Sequence, residues 1–196
     1  MQTKNLGIPM IYTKEGQTTL SFDIYSQLLN NRIIMLDDEI NNHSASVVVA
    51  QLLYLNSLND EQIDLYINSP GGCVSSGLSI IDTMNFIKAP VSTICTGMAA
   101  SMAAVILACG EKDLRRALPH SEVMIHQPLG GANGQASNIE IAAKHILSTK
   151  KNLYEILSKA TGKSVKTIEK DADRDYYMSA LDAKDYGIVD KVIPWR

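Results

Sequence analysis

The amino-acid sequence predicts an α/β protein in which layers of helices cover a mostly parallel sheet. Short apolar runs typical of buried strands alternate with longer runs of helical periodicity. Turns containing glycine, proline or serine separate many of these runs. No low-complexity tract or linker divides the 196 residues, a length that fits one domain with a sizeable core. We therefore expect a single domain over residues 1–196, built from repeated strand–helix units.

The composition is that of an ordinary soluble protein. Hydrophobic residues make up 45% and charged residues 20%, and the formal net charge of -3 does not favour a nucleic-acid binder. No apolar run reaches the length of a membrane span, and the first residues do not have the pattern of a signal peptide. We expect a cytoplasmic protein that binds neither nucleic acid nor membrane.

The three cysteines form no CxxC pair and have mostly apolar neighbours. They are typical of reduced, buried thiols and not of disulfides or a metal site. The sequence also lacks a Walker pattern and a GxGxxG motif. We expect no metal and no cofactor.

The elements of the first half follow in order. Residues 32–36 form an apolar run that predicts a buried strand. Ser44 is the predicted cap of a helix that extends to about residue 58. Four apolar residues of this helix are expected to face inward: Val47, Val48, Leu52 and Leu55.

Two further strand–helix units follow. A strand over residues 63–68 ends at the turn Ser69-Pro70-Gly71-Gly72, and a helix covers residues 75–87. A strand over residues 91–95 comes next. Gly97 is expected to turn the chain into an alanine-rich helix over about residues 101–109.

The second half contains a long helix between two short strands. A strand over residues 123–125 ends before Pro128, and residues 129–134 are expected to be flexible. The helix over about residues 138–160 is either a core helix or an arm that packs against another subunit. A capping box at Ser179-Ala180-Leu181-Asp182 opens a short helix that ends at Gly187, and residues 189–193 form the last strand.

Ser101 is the best candidate nucleophile by its position between a strand and a helix. Such a turn projects a side chain beside free backbone N–H groups, which can stabilise an oxyanion. The GxSxG pattern of a nucleophile elbow is absent, because Gly97 lies four positions before the serine. The local sequence alone favours a simple helix-capping serine.

His126 is the best candidate base among four histidines, because it follows an apolar strand and sites in α/β sheets gather at the carboxyl ends of strands. A structural histidine remains an alternative. The other three are assigned to a solvated loop (His43), a turn (His120) and the long helix (His145).

The orienting carboxylate is harder to assign. Asp171, Asp173 and Asp175 precede the last capping box, and the aromatic pair after Asp175 favours this residue. A solvated cluster of charges is the alternative. The Gly71-Gly72 turn allows a close approach of the backbone and can supply an oxyanion donor, or it is simply a strand–helix turn.

Taken together, these segments resemble the ClpP peptidase family. The similarity begins at Ser21 and occurs in family order through almost all of the chain. Its motifs cover residues 21–26, 65–72, 91–102, 123–131 and 174–180.

The resemblance implies roles for particular residues. Ser101 matches the nucleophile, His126 the general base and Asp175 the carboxylate that orients the base. The backbone N–H groups of Gly72 and Met102 match the oxyanion hole. The implied protein is a serine endopeptidase without cofactor.

The resemblance also implies a crotonase-like α/β fold with a head and a protruding handle helix over about residues 130–160. Two heptameric rings would stack through the handles into a tetradecamer. Residues 1–22 would form an axial loop region. An AAA+ unfoldase such as ClpX or a ClpC/ClpA type would deliver unfolded protein substrates.

The sequence departs from the family pattern at three places. Asn138 replaces a usual aspartate at the start of the handle. Residues 14–20 lack the usual Gly-Glu-Arg of the axial loop. Asp64 stands where many members have an aromatic residue in an apolar docking pocket, with Leu52, Tyr66 and Phe86 at other matching positions. We hypothesise a divergent paralogue with weakened or altered unfoldase docking.

Two alternative functions remain. The chain is a poorly active ring subunit that needs a second ClpP paralogue, or it is a crotonase-type acyl-CoA enzyme. The presence of all three triad residue types argues against a simple loss of chemistry, and the crotonase enzymes do not need such a set.

Overall fold

The computed structural model of the protein describes residues 8–15 and 18–194. The chain begins with an antiparallel hairpin of β1 (Met10–Glu15) and β2 (Thr18–Asp23). Helix α1 (Ile24–Asn30) follows, and the carboxylate of Asp23 caps it by accepting from the backbone N–H of Ser26. Part of the predicted axial loop region, residues 1–7 and 16–17, lies outside the described residues.

Seven further strands form the central sheet. Along its main path the order is β3-β4-β5-β6-β9, while β7 pairs with β5 and with β8. Every pairing in this sheet is parallel except that of β7 with β8. The strands are β3 (Ile33–Leu36), β4 (Ile63–Ser69), β5 (Val91–Ala100), β6 (Arg115–Ala117), β7 (Glu122–Ile125), β8 (Tyr176–Ser179) and β9 (Lys191–Val192). The predicted α/β class with a mostly parallel sheet is confirmed.

The predicted turn at Gly97 is wrong, because β5 continues through it to Ala100. The first half of β5 pairs with β6 and its last residues pair with β7. A Cβ atom at Gly97 would come within 2.4 Å of the Asn68 side-chain oxygen, which also accepts from the N–H of Met98. The glycine therefore allows a close approach of β4 and β5.

Six helices follow α1 in the described part of the chain. They are α2 (Asn42–Leu58), α3 (Val74–Phe86), α4 (Met102–Ala108), α5 (Ala136–Thr161), α6 (Val165–Asp171) and α7 (Ala180–Tyr186). Every residue of α4 is buried, and this helix contacts β5, α3 and α5. An apolar helix covered on all sides is the expected centre of a layered core. No helix among the residues with described coordinates is long and apolar enough to span a membrane.

Helix α2 begins earlier than predicted. Asn41 is its N-cap, and Ser44 is the reciprocal partner three residues later, so both members of a capping box are present. Val48, Leu52 and Leu55 are buried as expected, but Val47 is 43% exposed. Fewer residues of this helix are therefore buried than its apolar pattern predicts.

Helix α5 divides into an exposed and a packed half. Its buried residues, Leu153, Tyr154 and Leu157, all lie in the C-terminal half. In the N-terminal half, Ile141 is 66% and Leu147 is 63% exposed. The first buried residue of the helix therefore comes nearly five turns after its start.

The end of the chain matches its prediction closely. Ser179 and Asp182 form the expected capping box of α7, and Gly187 takes the left-handed conformation at its C-terminus with φ of 97°. The last strand is shorter than predicted and is limited to Lys191–Val192.

Candidate active site

Ser101 lies at the junction of β5 and α4 in an unusual backbone conformation. Its φ is 55° and its ψ is −123°, a combination that L-residues rarely adopt and that costs about 1–3 kcal/mol. Its N–H donates to the carbonyl of Met124 in β7 at 2.8 Å, which holds the turn in place. The residue occupies the N-cap position, but its side chain makes no capping hydrogen bond. The interpretation as a simple capping serine is therefore wrong.

The Ser101 hydroxyl lies within hydrogen-bonding distance of His126. Ser101 Oγ and His126 Nε2 are 2.8 Å apart, and His126 Nδ1 lies 2.9 Å from Asp175 Oδ1. The imidazole side chain is 18% exposed and the Asp175 side chain 55%. A hydroxyl that contacts an imidazole, which in turn contacts a carboxylate, is the arrangement that activates a serine as a nucleophile.

The strand pairing explains how these side chains meet. His126 directly follows β7, and β7 lies next to the end of β5 that precedes Ser101. Asp175 directly precedes β8, which runs antiparallel to β7 with Ile125 opposite Tyr176. The next pair in this register is His126 with Asp175, so the two side chains lie at the same end of the two paired strands.

The other two aspartates of the predicted cluster have different partners. Asp171 accepts a hydrogen bond from the Tyr186 hydroxyl at 2.9 Å. The backbone carbonyl of Asp173 accepts from the Gln127 side-chain amide at 2.8 Å. A uniform solvated cluster of charges therefore does not describe this segment.

Gln127 is a residue of the site that the sequence reasoning did not identify. It follows His126, and its contact with Asp173 joins the two segments that carry the imidazole and the Asp175 carboxylate. Its own oxygen accepts from Lys150 Nζ on α5 at 3.2 Å. No local sequence pattern indicates this contact, since Gln127 and Asp173 are 46 positions apart.

The Gly71-Gly72 turn packs against the Ser101 turn. A Cβ atom at Gly71, whose φ is 93°, would lie 2.8 Å from Ser101 Cβ and 3.0 Å from Met102 N. Only glycine allows this approach.

The backbone around Gly72 sets the direction of its N–H group. Ile40 N donates to Gly71 O at 2.8 Å, and Cys73 N donates to Ile40 O at 2.7 Å. In this parallel bridge, the N–H of Gly72 itself points away from Ile40. Met102 is the first residue of α4, where an N–H group has no partner within the helix.

A small apolar pocket adjoins the Ser101 hydroxyl. Its free space for water is ≈ 20 Å³, about the volume that one water molecule needs. The sequence reasoning did not anticipate that α5 contributes to this pocket. Its lining residues are Val74, Ser101, Met102, Val105, Ile125, His126, Pro128, Leu153, Tyr154 and Leu157.

The remaining histidines lie away from this constellation. The sequence predicted that His43 lies in a loop. It lies instead in the first turn of α2. His120 lies in a turn and His145 is exposed on α5. Within residues 8–15 and 18–194, no cluster of three or more histidine, cysteine or acidic residues has the arrangement of a metal site.

All three thiols were expected to be buried, but one is exposed and one is only partly buried. Cys73 is exposed, Cys109 is partly buried and Cys95 is fully buried. Hydrogen bonds from Ser75 and Ser76 lower the pKa of the Cys73 thiol to about 7. Burial raises the pKa of Cys109 to about 12.

Comparison with protein families identifies the family of the chain. The family model for Clp protease matches residues 15–196, which is almost the whole chain. The chain therefore belongs to the Clp protease family, and its fold is of the ClpP type. Membership in this family implies a serine peptidase.

Proposed function

We propose that the protein is a serine endopeptidase that cleaves peptides and unfolded proteins, with Ser101 as nucleophile. The observation that supports this best is the pair of contacts from Ser101 Oγ to His126 at 2.8 Å and from His126 to Asp175 at 2.9 Å. The strained backbone of Ser101 and its place beside an apolar pocket add support.

The proposed reaction is acyl transfer. His126 takes the hydroxyl proton through Nε2 while Ser101 Oγ attacks a peptide carbonyl. Asp175 accepts the hydrogen bond from Nδ1 and stabilises the positive imidazolium. His126 then gives the proton to the leaving amine, and the carbonyl carbon remains bonded to Ser101 as an ester. Water, deprotonated by His126, then attacks this ester. His126 gives the proton to Ser101 Oγ as the ester C–O bond breaks, and the acid is released.

The backbone N–H groups of Gly72 and Met102 are proposed to hold the oxyanion of the tetrahedral intermediate. Each belongs to one of two turns that touch through Gly71 and Ser101. Both groups are main-chain donors and therefore need no reorganisation during the reaction. One donor of this kind is worth about 3–4 kcal/mol of transition-state stabilisation.

The assembly is proposed to be two stacked heptameric rings that enclose the active sites. The exposed apolar residues in the N-terminal half of α5, among them Ile141 and Leu147, support a contact with another subunit. Asn138, which is in the first turn of this helix, replaces a usual aspartate and is expected to change one polar contact between rings. An AAA+ unfoldase of the ClpX or ClpC/ClpA type would deliver the substrates.

We further propose that docking of the unfoldase is weakened or altered. Asp64 is partly buried, and its carboxylate accepts from the Gln62 amide at 2.7 Å. A carboxylate disfavours an apolar docking loop, since its burial without a charged partner is costly. Phe86 is 82% exposed and remains available to a partner, whereas Leu52 is 0% exposed.

Docking is tested by titrating the host's unfoldase against wild type and Asp64→Tyr. Tighter binding by the variant is expected. Wild-type affinity equal to that of the variant would contradict the docking proposal and leave the peptidase proposal intact.

The peptidase proposal is tested with wild type and Ser101→Ala. Size-exclusion chromatography is combined with hydrolysis of a fluorogenic peptide and with labelling by a fluorophosphonate probe. Activity and labelling in a large assembly, both lost in Ser101→Ala at unchanged size, are expected. Equal hydrolysis by Ser101→Ala would refute the proposal.

Two other results identify the alternative functions. An assembled but silent wild type that becomes active with a second paralogue would indicate a ring subunit of mixed assemblies. Binding of coenzyme A without labelling of Ser101 would indicate an acyl-CoA enzyme.

A further inference from the structure

The pocket beside Ser101 is much smaller than most amino-acid side chains. Its free space of ≈ 20 Å³ is enough for one water molecule or one methyl-sized group. Because Ser101 and His126 both line the pocket, we take it as the space that receives the side chain of the residue whose carbonyl is attacked. We call this residue P1. This argument rests on the peptidase function proposed above.

Tyr154 is the largest side chain among the residues that line this pocket. It lines the pocket from α5 between Leu153 and Leu157, and it is 3% exposed, so its whole ring is inside the protein. The other lining side chains are aliphatic residues and the two catalytic candidates, Ser101 and His126. Apart from the imidazole of His126, the ring of Tyr154 is thus the one aromatic ring among them.

The ring of Tyr154 is held by packing and not by its hydroxyl. The Oη atom is buried and has no hydrogen-bond partner among the described residues. The Lys150 ammonium lies 5.5 Å from the ring centroid, and the same ammonium donates to Gln127 beside His126. The ring is therefore enclosed by apolar neighbours within the core and by this cation.

We propose that Tyr154 is a specificity-determining residue that restricts P1 to small side chains, such as alanine, serine or glycine. A leucine, methionine or phenylalanine side chain needs several times the space that the pocket offers, and Tyr154 is the bulkiest side chain in the pocket wall. One misfitted methylene in an apolar pocket already changes kcat/KM by about 10- to 200-fold.

The test compares peptides that differ only at P1. Fluorogenic peptides with Ala, Ser, Leu and Phe at P1 are hydrolysed by wild type, Tyr154→Phe and Tyr154→Ala. Wild type is expected to prefer Ala and Ser over Leu by roughly tenfold or more in kcat/KM. Tyr154→Ala removes the ring and is expected to reverse this preference.

Tyr154→Phe is the matched control, because it keeps the ring and removes only the unpaired hydroxyl. Its P1 preference is expected to equal that of wild type, and its thermal stability to be equal or higher, since a buried unpaired polar group is lost. If Tyr154→Ala does not fold, Tyr154→Leu replaces it, with a partial gain for Leu at P1. Chromatography and thermal melting check each variant.

The outcomes separate this inference from the proposed function. Fluorophosphonate labelling of Ser101 together with a wild-type preference for Leu or Phe at P1 would overturn the inference alone. An unchanged P1 profile in a folded Tyr154→Ala would do the same. If Ser101 is not labelled and no peptide is cleaved, the proposed function and the inference fall together.

Discussion

Replacing Asp175 by asparagine tests the proposed triad most directly. The carboxylate makes one hydrogen bond to the imidazole, from His126 Nδ1 at 2.9 Å. Asparagine keeps the shape of the side chain but removes the charge that stabilises the imidazolium. We expect Asp175→Asn to assemble normally and to lose activity.

The size of the loss follows from the exposure of the carboxylate. A hydrogen bond to a charged group is worth about 1.5–3 kcal/mol, which corresponds to about 10- to 150-fold in rate. Where a triad aspartate is buried, the same substitution costs about 10⁴-fold. Because the Asp175 side chain is 55% exposed, water can stabilise part of the imidazolium charge, and the smaller range applies.

The assay measures kcat and KM for a fluorogenic peptide with wild type, Asp175→Asn and the control Asp173→Asn. Asp173 lies in the same loop and contacts Gln127 mainly through its backbone carbonyl, which the control retains. A fall in kcat of about 10- to 150-fold for Asp175→Asn alone is expected. A loss below threefold, or one equal to that of Ser101→Ala, would refute the argument that the exposure of the Asp175 carboxylate sets the size of the loss.

Two further predictions concern the cysteine thiols and the ion pair that Arg115 of β6 forms with Asp190, which directly precedes β9. Burial opposes ionisation of Asp190, but hydrogen bonds from Arg115 outweigh it, so the pKa of Asp190 lies below its ordinary value. The pair therefore stabilises the fold at neutral pH and is lost as pH falls through the lowered pKa. Asp190→Asn is expected to lower the unfolding free energy by about 3 kcal/mol in urea at pH 7 and by less in acid; a difference under about 1 kcal/mol contradicts this. Iodoacetamide should alkylate exposed Cys73 fastest, with a midpoint near pH 7. Buried Cys95 and partly buried Cys109 should stay unmodified by mass spectrometry. A rate for Cys73 that rises only above pH 9 argues against the lowered pKa.

The sequence analysis missed several of the described strands and helices for a common physical reason. Strands β1, β2, β6 and β8 and helices α1 and α6 are short or expose much of their surface, so they have little hydrophobic periodicity to detect. In β8, for example, Tyr176 and Tyr177 are both exposed and only Met178 is buried. The pairing of this strand with β7 nevertheless sets the position of Asp175.

Strand β6 illustrates a different limit. A buried arginine argues against a core strand, because burying an unpaired charge is costly. Arg115 is tolerated there because its guanidinium binds the Asp190 carboxylate and the carbonyls of Ala108 and Ala160. Asp190 is 75 positions away, so no local pattern contains this compensation.

The sequence by itself determined the α/β class, the strands and helices with strong periodicity, and the caps of α7. These properties depend on neighbours within a few positions, such as Ser179 with Asp182. Motif order along the chain was enough to place it in its family.

The tertiary structure alone decided what surrounds Ser101. The contact of Ser101 with His126 joins residues 25 positions apart, and that of His126 with Asp175 joins residues 49 apart. Both depend on the register of β5, β7 and β8, and the size of the adjoining pocket depends on how α5 places Tyr154. Such distances arise only when separate elements pack together, because the pairing of strands far apart in the chain depends on the face that they bury together and not on neighbouring residues.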